Sequence, residues 1–383
     1  MDLKSKLPEV GTTIFTVMSR MAAEHHAINL SQGYPDFPVP TTLLQKLNEY
    51  AQRGENQYPP MHGVAYLREQ IAAKLTRCYD IQADPETELT VTSGATEALF
   101  VAIQAVVSEG DEVIVFDPAY DSYEPAVSLA GGRTLHIPLN SGDFSIDWDH
   151  VRKTVSEKTR LIIINSPHNP TGAVISGEDL EALADIIEGS RILILSDEVY
   201  EHMVFDAGQH HTIASHPRLR TQSFIVSSFG KTYHATGWKV GYCLASPELS
   251  VEFRKVHQFV TFTTHTPTQW AIADYLQHHP EHDQELHAFY QAKRDLFLNE
   301  MQGIGFEMLP SQGTYFQLAA YGNVSAADDM TFVTELTQQA GVAAIPVSVF
   351  YETPPEQRFV RFCFAKSDET LVEAAGKLRN YFS

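Results

Sequence analysis

The sequence predicts an α/β protein with a mostly parallel central sheet flanked by helices, and a smaller α+β domain after it. Three observations predict this. Short apolar runs alternate with helical patterns through the middle of the chain, as they do where strands are joined by crossover helices. Several runs, Leu161-Ile162-Ile163-Ile164 among them, are apolar on both faces, which suits strands buried from both sides. Beyond about residue 270 the alternation gives way to long helical stretches and isolated strands.

The first 40 residues contain Pro35, Pro38 and Pro40 and read as an extended segment crossing other parts of the molecule. Strands are expected at 88–92, 112–116, 134–138, 161–165, 192–196, 224–227 and 240–245, with helical patterns at 96–107, 177–188 and 247–259. One long helical stretch is expected over 267–301. Strand-like segments at 306–309 and 313–318, a helix near 329–340, a strand at 359–364 and a final helix from Asp368 complete the chain. With 383 residues, one large domain and a companion are expected: an N-terminal segment over 1–40, a large domain over 41–270 and a small domain over 271–383.

Composition narrows the function. A formal net charge of -21 argues against nucleic acid or an anionic membrane as partner, but leaves room for a local cluster of cations around a small anion. No run approaches the ~18 apolar residues of a membrane span. No apolar stretch follows Met1-Asp2-Leu3-Lys4, so no secretory leader is read and the cytoplasm is expected. Three scattered cysteines, Cys78, Cys243 and Cys363, suit a reducing compartment rather than a disulfide framework. The 17 histidines include adjacent pairs in polar surroundings but no H-E-x-x-H, so no protein-bound catalytic metal is expected.

In open α/β sheets ligands bind beyond the carboxyl ends of the strands, and the motifs with chemistry in them follow apolar runs. Ser93-Gly94-Ala95-Thr96 stands between a strand and a helix, where small residues let main-chain N–H groups approach an anion. A plain helix cap by Ser93 or Thr96 is the simpler alternative. Asn165-Ser166-Pro167-His168-Asn169-Pro170-Thr171-Gly172 offers Asn169 as donor and acceptor, or is only a turn. Asp197, in Ser196-Asp197-Glu198-Val199-Tyr200, ends a buried strand and is costly there without a partner. A protonated ring nitrogen is one such partner, a metal or a helix cap another. Tyr200 stands three residues on.

Lys231 closes Ser227-Ser228-Phe229-Gly230-Lys231 and could condense with an aldehyde, with Ser228 and Lys239 placed for a phosphate. Ser228-Phe229-Gly230-Lys231 also fits the S-x-x-K of penicillin-recognising enzymes, but those need a K-T-G that this chain lacks. Arg361 alternates with aromatics in Arg358-Phe359-Val360-Arg361-Phe362 and wants a carboxylate, from a substrate or from within the chain. A dehydrogenase would need G-x-G-x-x-G after a strand, which is absent.

Together these motifs resemble the fold-type I pyridoxal-phosphate enzymes, specifically the class I and II aminotransferases. The resemblance runs from Ser31-Gln32-Gly33-Tyr34-Pro35 to the Arg361 strand, through S-G-A-T-E-A, D-P-A-Y, N-P-T-G, S-D-E-V-Y and S-F-G-K in that order. It implies that Lys231 carries pyridoxal 5'-phosphate as a Schiff base and serves as acid and base, and that Asp197 pairs with the ring nitrogen. Tyr120 would stack on the ring, and Asn169 and Tyr200 would bond its oxygen. Gly94, Ala95, Thr96, Ser228 and Lys239 would hold the phosphate. Arg361 would clamp the substrate carboxylate with Gly33, Tyr34 and Asn169 nearby. Tyr58 resembles a tyrosine that reaches the neighbouring subunit's cofactor, which implies a homodimer with shared active sites.

Lysine at 239 and the stretch Ile345-Pro346-Val347-Ser348-Val349-Phe350 resemble the kynurenine aminotransferase and glutamine transaminase K branch, and within it bacterial methionine aminotransferases. Many family members carry arginine at the position of Lys239. His234 departs from the small residue usual three after the lysine, and the resemblance assigns it no role. A ping-pong aminotransferase preferring methionine, glutamine or aromatic amino acids is expected, with an apolar pocket drawing on Tyr34, Phe37, Tyr120 and Phe350. The alternatives are a cysteine-conjugate β-lyase using the same cofactor, and a non-enzymatic regulator, which would need a DNA-binding domain.

Overall fold

A computed structural model of the chain describes residues 4–383. Its main sheet has seven strands in the order Leu89–Thr92, Gly241–Ala245, Ser223–Ser228, Leu193–Asp197, Thr159–Asn165, Glu112–Asp117 and Arg133–Pro138. All run parallel except Gly241–Ala245, which is antiparallel to both neighbours. The central strands are buried along nearly their whole length, as their two-faced apolar runs require. One core lies on each face: Ile114, Ile162, Ile194 and Ile225 point into one, and Val113, Ile163, Leu195 and Val226 into the other. That split follows from the period of two along a strand.

A second, antiparallel sheet joins Ile345–Pro346, Phe359–Cys363, Phe316–Ala320 and Glu307–Met308. Its core takes in Phe297, Phe332 and Phe362 together with Met18 and Leu30 from the N-terminal region. Ile28–Asn29 also pairs in parallel with Val342–Ala343, tying the start of the chain to its last third.

Two expectations need correction. The first 40 residues are not wholly extended: Ile14–Glu24 is a helix, capped by the Thr13 hydroxyl. Ile14, Met18, Met21 and Ala22 give it an apolar face at helical spacing, a pattern the later prolines obscured. The stretch 267–301 is not one helix either. It is two, Thr266–His278 and Glu281–Glu300, parted at His279-Pro280 because proline has no N–H to continue the ladder.

The antiparallel strand decides where one predicted residue lies. Gly241 sits in register with Thr92 on one side and Ser228 on the other. The residues before that strand, Lys239 among them, therefore reach the same edge of the sheet as the residues after the parallel strands.

Candidate active site

A cavity of about 250 Å³ opens at the carboxyl edge of the main sheet. Lys231, Asp197, Tyr200, Asn169, Tyr120 and Arg361 line it, as do Gly33, Gly94, Ala95, Thr96, Ser228 and Lys239. Most come from loops that the main sheet brings together at this edge, while Gly33 comes from the N-terminal region and Arg361 from the strand Phe359–Cys363 of the second sheet.

At one end the helix Gly94–Val106 presents its N-terminus, where main-chain N–H groups lack intrahelical partners. Gly94 holds φ +75, and a side chain there would press on the Lys239 ammonium 3.3 Å away, so the position needs glycine. Helix N-terminus, hydroxyls of Thr96 and Ser228 and the ammonium of Lys239 form a donor set for a phosphate.

On the floor, Asp197 is buried and receives a 2.7 Å hydrogen bond from the Tyr123 hydroxyl. Burial raises its carboxyl to about 6, against the pull of that bond, of the Val199 N–H and of Lys231. A carboxylate so placed has room for one more cationic donor. Lys231 shows the opposite shift. Burial lowers its ammonium to about 8, with Lys239 and Arg361 also disfavouring charge, so about a tenth of it is free amine at pH 7, far more than for an exposed lysine. Its Nζ donates to the Tyr315 hydroxyl at 3.0 Å and to the Gly33 carbonyl at 3.3 Å.

Arg361 is 1% exposed. It donates to Asn169 Oδ1 at 2.8 Å and to the Ser31 carbonyl at 3.0 Å, neither of them a carboxylate. Its Nε has no partner among the described residues. The guanidinium lies 3.9 Å over the Phe316 ring, with Phe15 and Phe350 farther off. This is a buried cation held in place by aromatic faces and short of a counter-charge, which suits a substrate carboxylate.

Several residues named from the sequence lie elsewhere. Tyr58 is 82% exposed, edge-on to Phe262, and does not line this chain's cavity. Tyr34 turns outward to stack on Lys366, whose ammonium lies 4.5 Å from its ring. Phe37 is not a wall of the cavity. It packs edge-on against His234, in a cluster with Phe289 and Tyr290. Phe15 and Phe316 line the cavity in their place. His234 bonds the Tyr290 hydroxyl at 3.0 Å, and burial lowers it to about 3, so it is a neutral packing residue. Tyr123, Asn165 and Tyr315 were missed. Tyr123 follows Tyr120 by three residues, but Tyr315 gave no signal beyond a turn before a strand.

The class I and II aminotransferase family model matches residues 25–378, most of the chain. A methionine aminotransferase of Escherichia coli is 51% identical over 98% of this chain and 97% of its own length. The chain belongs to the class I and II aminotransferases. Its likeness to other members is broad. Human kynurenine–oxoglutarate transaminase 1 is 33% identical over 94% of each chain. The crystal structure of YbdL from Escherichia coli, reported with a methionine aminotransferase function, superposes with a TM-score of 0.97 at 50% identity, covering 99% of this chain and 100% of that one. An N-succinyldiaminopimelate aminotransferase of Mycobacterium tuberculosis follows at a TM-score of 0.95 and 38% identity, with full coverage of both chains. The fold is thus fold type I, and this aminotransferase is an enzyme of amino acid metabolism. The family implies pyridoxal 5'-phosphate, and the phosphate donors at one end of the cavity, with a buried acid and a depressed lysine in reach, fit that cofactor.

Proposed function

We propose that this aminotransferase moves the amino group of methionine, glutamine or an aromatic amino acid to a 2-oxo acid in ping-pong fashion. One observation carries the substrate class: Arg361 is the cavity's cation for a carboxylate beyond Lys231 and the phosphate-side Lys239, and the rings of Phe15, Tyr120 and Phe316 join uncharged polar groups such as Gln32 and Thr236 in the lining. A single α-carboxylate is satisfied there, and a second, distal one would be buried without a partner. The activities named for the methionine and kynurenine relatives agree with an uncharged side chain.

When bound, the cofactor supplies an aldehyde that condenses with amines and a protonated ring that takes up the electron pair released at Cα. The protein's part is to hold and to move protons. Ala95, Thr96, Ser228 and Lys239 would bind the phosphate, and Asn169 and Tyr200 the ring oxygen. Asp197 would accept from the ring nitrogen and, with a cation for partner, would stay ionised despite its burial. Arg361 would orient the substrate so that Cα–H faces Lys231. The Lys231 amine would take that proton and return it one carbon away.

Methionine, glutamine and phenylalanine are expected to exceed aspartate in kcat/KM by about 100-fold or more. Equal rates with aspartate would reject the substrate class. Keto-acid formation assayed beside pyruvate and ammonia release separates transfer from β-elimination.

A homodimer is proposed on a different observation. Tyr58, Phe259, Val260 and Phe262 are exposed, at 82%, 84%, 49% and 43%, around the end of the helix Pro247–Val260. Apolar surface of that kind is covered in a two-fold partner. Sedimentation should give twice the 42.8 kDa chain mass; a monomer at micromolar concentration would contradict it. All three cysteines are free, which suits a reducing compartment such as the cytoplasm.

A further inference from the structure

Tyr315 occupies a turn that has little freedom to move. Thr314 holds φ +67, and its N–H bonds the Met203 carbonyl. A side chain on Gly313 would strike the Met203 carbonyl and Pro167 at 2.7 Å, so this turn is pressed against the loops that carry Tyr200 and Asn169. The Tyr315 ring is fully buried and gripped edge-on by Tyr200 at 5.1 Å and Phe316 at 4.9 Å.

Its hydroxyl donates to the Gly33 carbonyl at 2.6 Å. With that proton committed, the oxygen can only accept from Lys231 Nζ, 3.0 Å away. Nζ also donates to the same Gly33 carbonyl. A neutral amine has two N–H bonds and one lone pair. Both N–H bonds are used on this side, which turns the lone pair away from Tyr315 and Gly33. We infer that Tyr315 is a positioning residue for the transamination step: with the Gly33 carbonyl it aims the lone pair of the free Lys231 amine into the cavity. Burial holds the phenol far above its ordinary titration range, so Tyr315 stays neutral and is not itself a base. The inference rests on the reading of Lys231 as the proton-transferring amine.

Tyr315→Phe keeps the ring contacts and deletes only the hydroxyl. Its kcat with methionine should fall about 10- to 100-fold, with KM changed far less, because the base is misaimed rather than the substrate released. A second readout needs no turnover. In the apoenzyme, labelling of Lys231 by an amine-reactive reagent, followed by mass spectrometry across pH, reports its titration. Asp197, Lys239, Arg361, Tyr200 and Cys363 act on that titration in both proteins. Losing one acceptor of the ammonium should move the midpoint down by on the order of half a unit. A slower enzyme with a more available amine is a result that orientation explains and basicity does not.

Tyr290→Phe is the control, since it removes an equally buried hydroxyl that bonds His234 instead. It should change neither readout. Wild-type kcat and an unmoved midpoint in Tyr315→Phe would overturn the inference and leave Lys231 in its role. The same overturning result is a fall in kcat matched by Tyr290→Phe, or one matched by loss of folded protein. A wild-type apoenzyme whose Lys231 cannot be labelled at any pH would instead strike the reading of Lys231.

Discussion

Lys231→Ala should fold, take up pyridoxal phosphate and fail to turn over. Three separate duties end with that one amine. No group is left to condense with the cofactor aldehyde, none to take the Cα proton and none to return it. General acid–base catalysis alone is worth about 10²- to 10⁴-fold, and loss of the covalent partner adds to it. A fall in kcat of at least about 10⁴-fold is expected. Cofactor retention should survive, because the proposed phosphate donors include Thr96 and Lys239, which stand on other segments than Lys231. The measurement is steady-state keto-acid formation beside cofactor content after gel filtration. Multiple turnover near the wild-type rate would remove Lys231 from the mechanism. Adding a small primary amine to the medium should restore some rate if the defect is chemical rather than structural.

That lysine is legible in the sequence because the apolar strands mark the binding edge of the sheet. Asp197, Asn169 and Lys231 each stand within a few residues of the end of a buried apolar strand, so a rule about strand ends finds them. Lys239 precedes its strand, so the strand-end rule does not reach it and only its nearness to Ser228 and Lys231 in the sequence points to it; the antiparallel direction of Gly241–Ala245 supplies the physical reason. Tyr315 was invisible for a related cause. It enters an antiparallel strand of the other sheet, and its meeting with Lys231 spans 84 positions along the chain, which no local pattern records. The outward turn of Tyr34 depends on Lys366, more than 300 residues away. The joint at Pro280 was missed although proline marks it, because apolar spacing on both sides read as continuous.

A second large effect is expected from Lys74→Met, far from the reacting atoms. Lys74 is 2% exposed on the helix Ala65–Tyr79, and its ammonium donates to Glu201 at 2.6 Å and to the Tyr242 hydroxyl at 3.1 Å. Glu201 also accepts from Tyr79 and Ser227. This network ties the helix to the residue after Tyr200 and to the residue before Ser228, beneath the active site. Burial pushes the Glu201 carboxyl up, but Lys74, with His202 and the hydroxyls, brings it well below its ordinary 4.5. Burial lowers Lys74, and Glu201 raises it beyond its ordinary 10.5 by more. A depressed acid stabilises above its unfolded value, and a raised base below its own. The pair therefore contributes in full between about pH 4.5 and 10.5, and the contribution fades outside that window.

Removing one partner strands the other charge, which costs about 3–5 kcal/mol. In a chain of 383 residues that corresponds to a fall in Tm of about 4–6 °C at pH 7. The double variant Lys74→Met/Glu201→Gln should recover a large part of the loss, since no charge is then left unpaired. The Lys74→Met variant should regain stability as pH falls toward 4.5, because burial without Lys74 makes Glu201 take up its proton above that value, and this group then contributes no further loss below it. Thermal melts of the two single variants and the double across pH decide the matter. Single substitutions within about 0.5 kcal/mol of wild type would mean that water reaches this pair and that the loops bearing Tyr200 and Ser228 are held by packing alone.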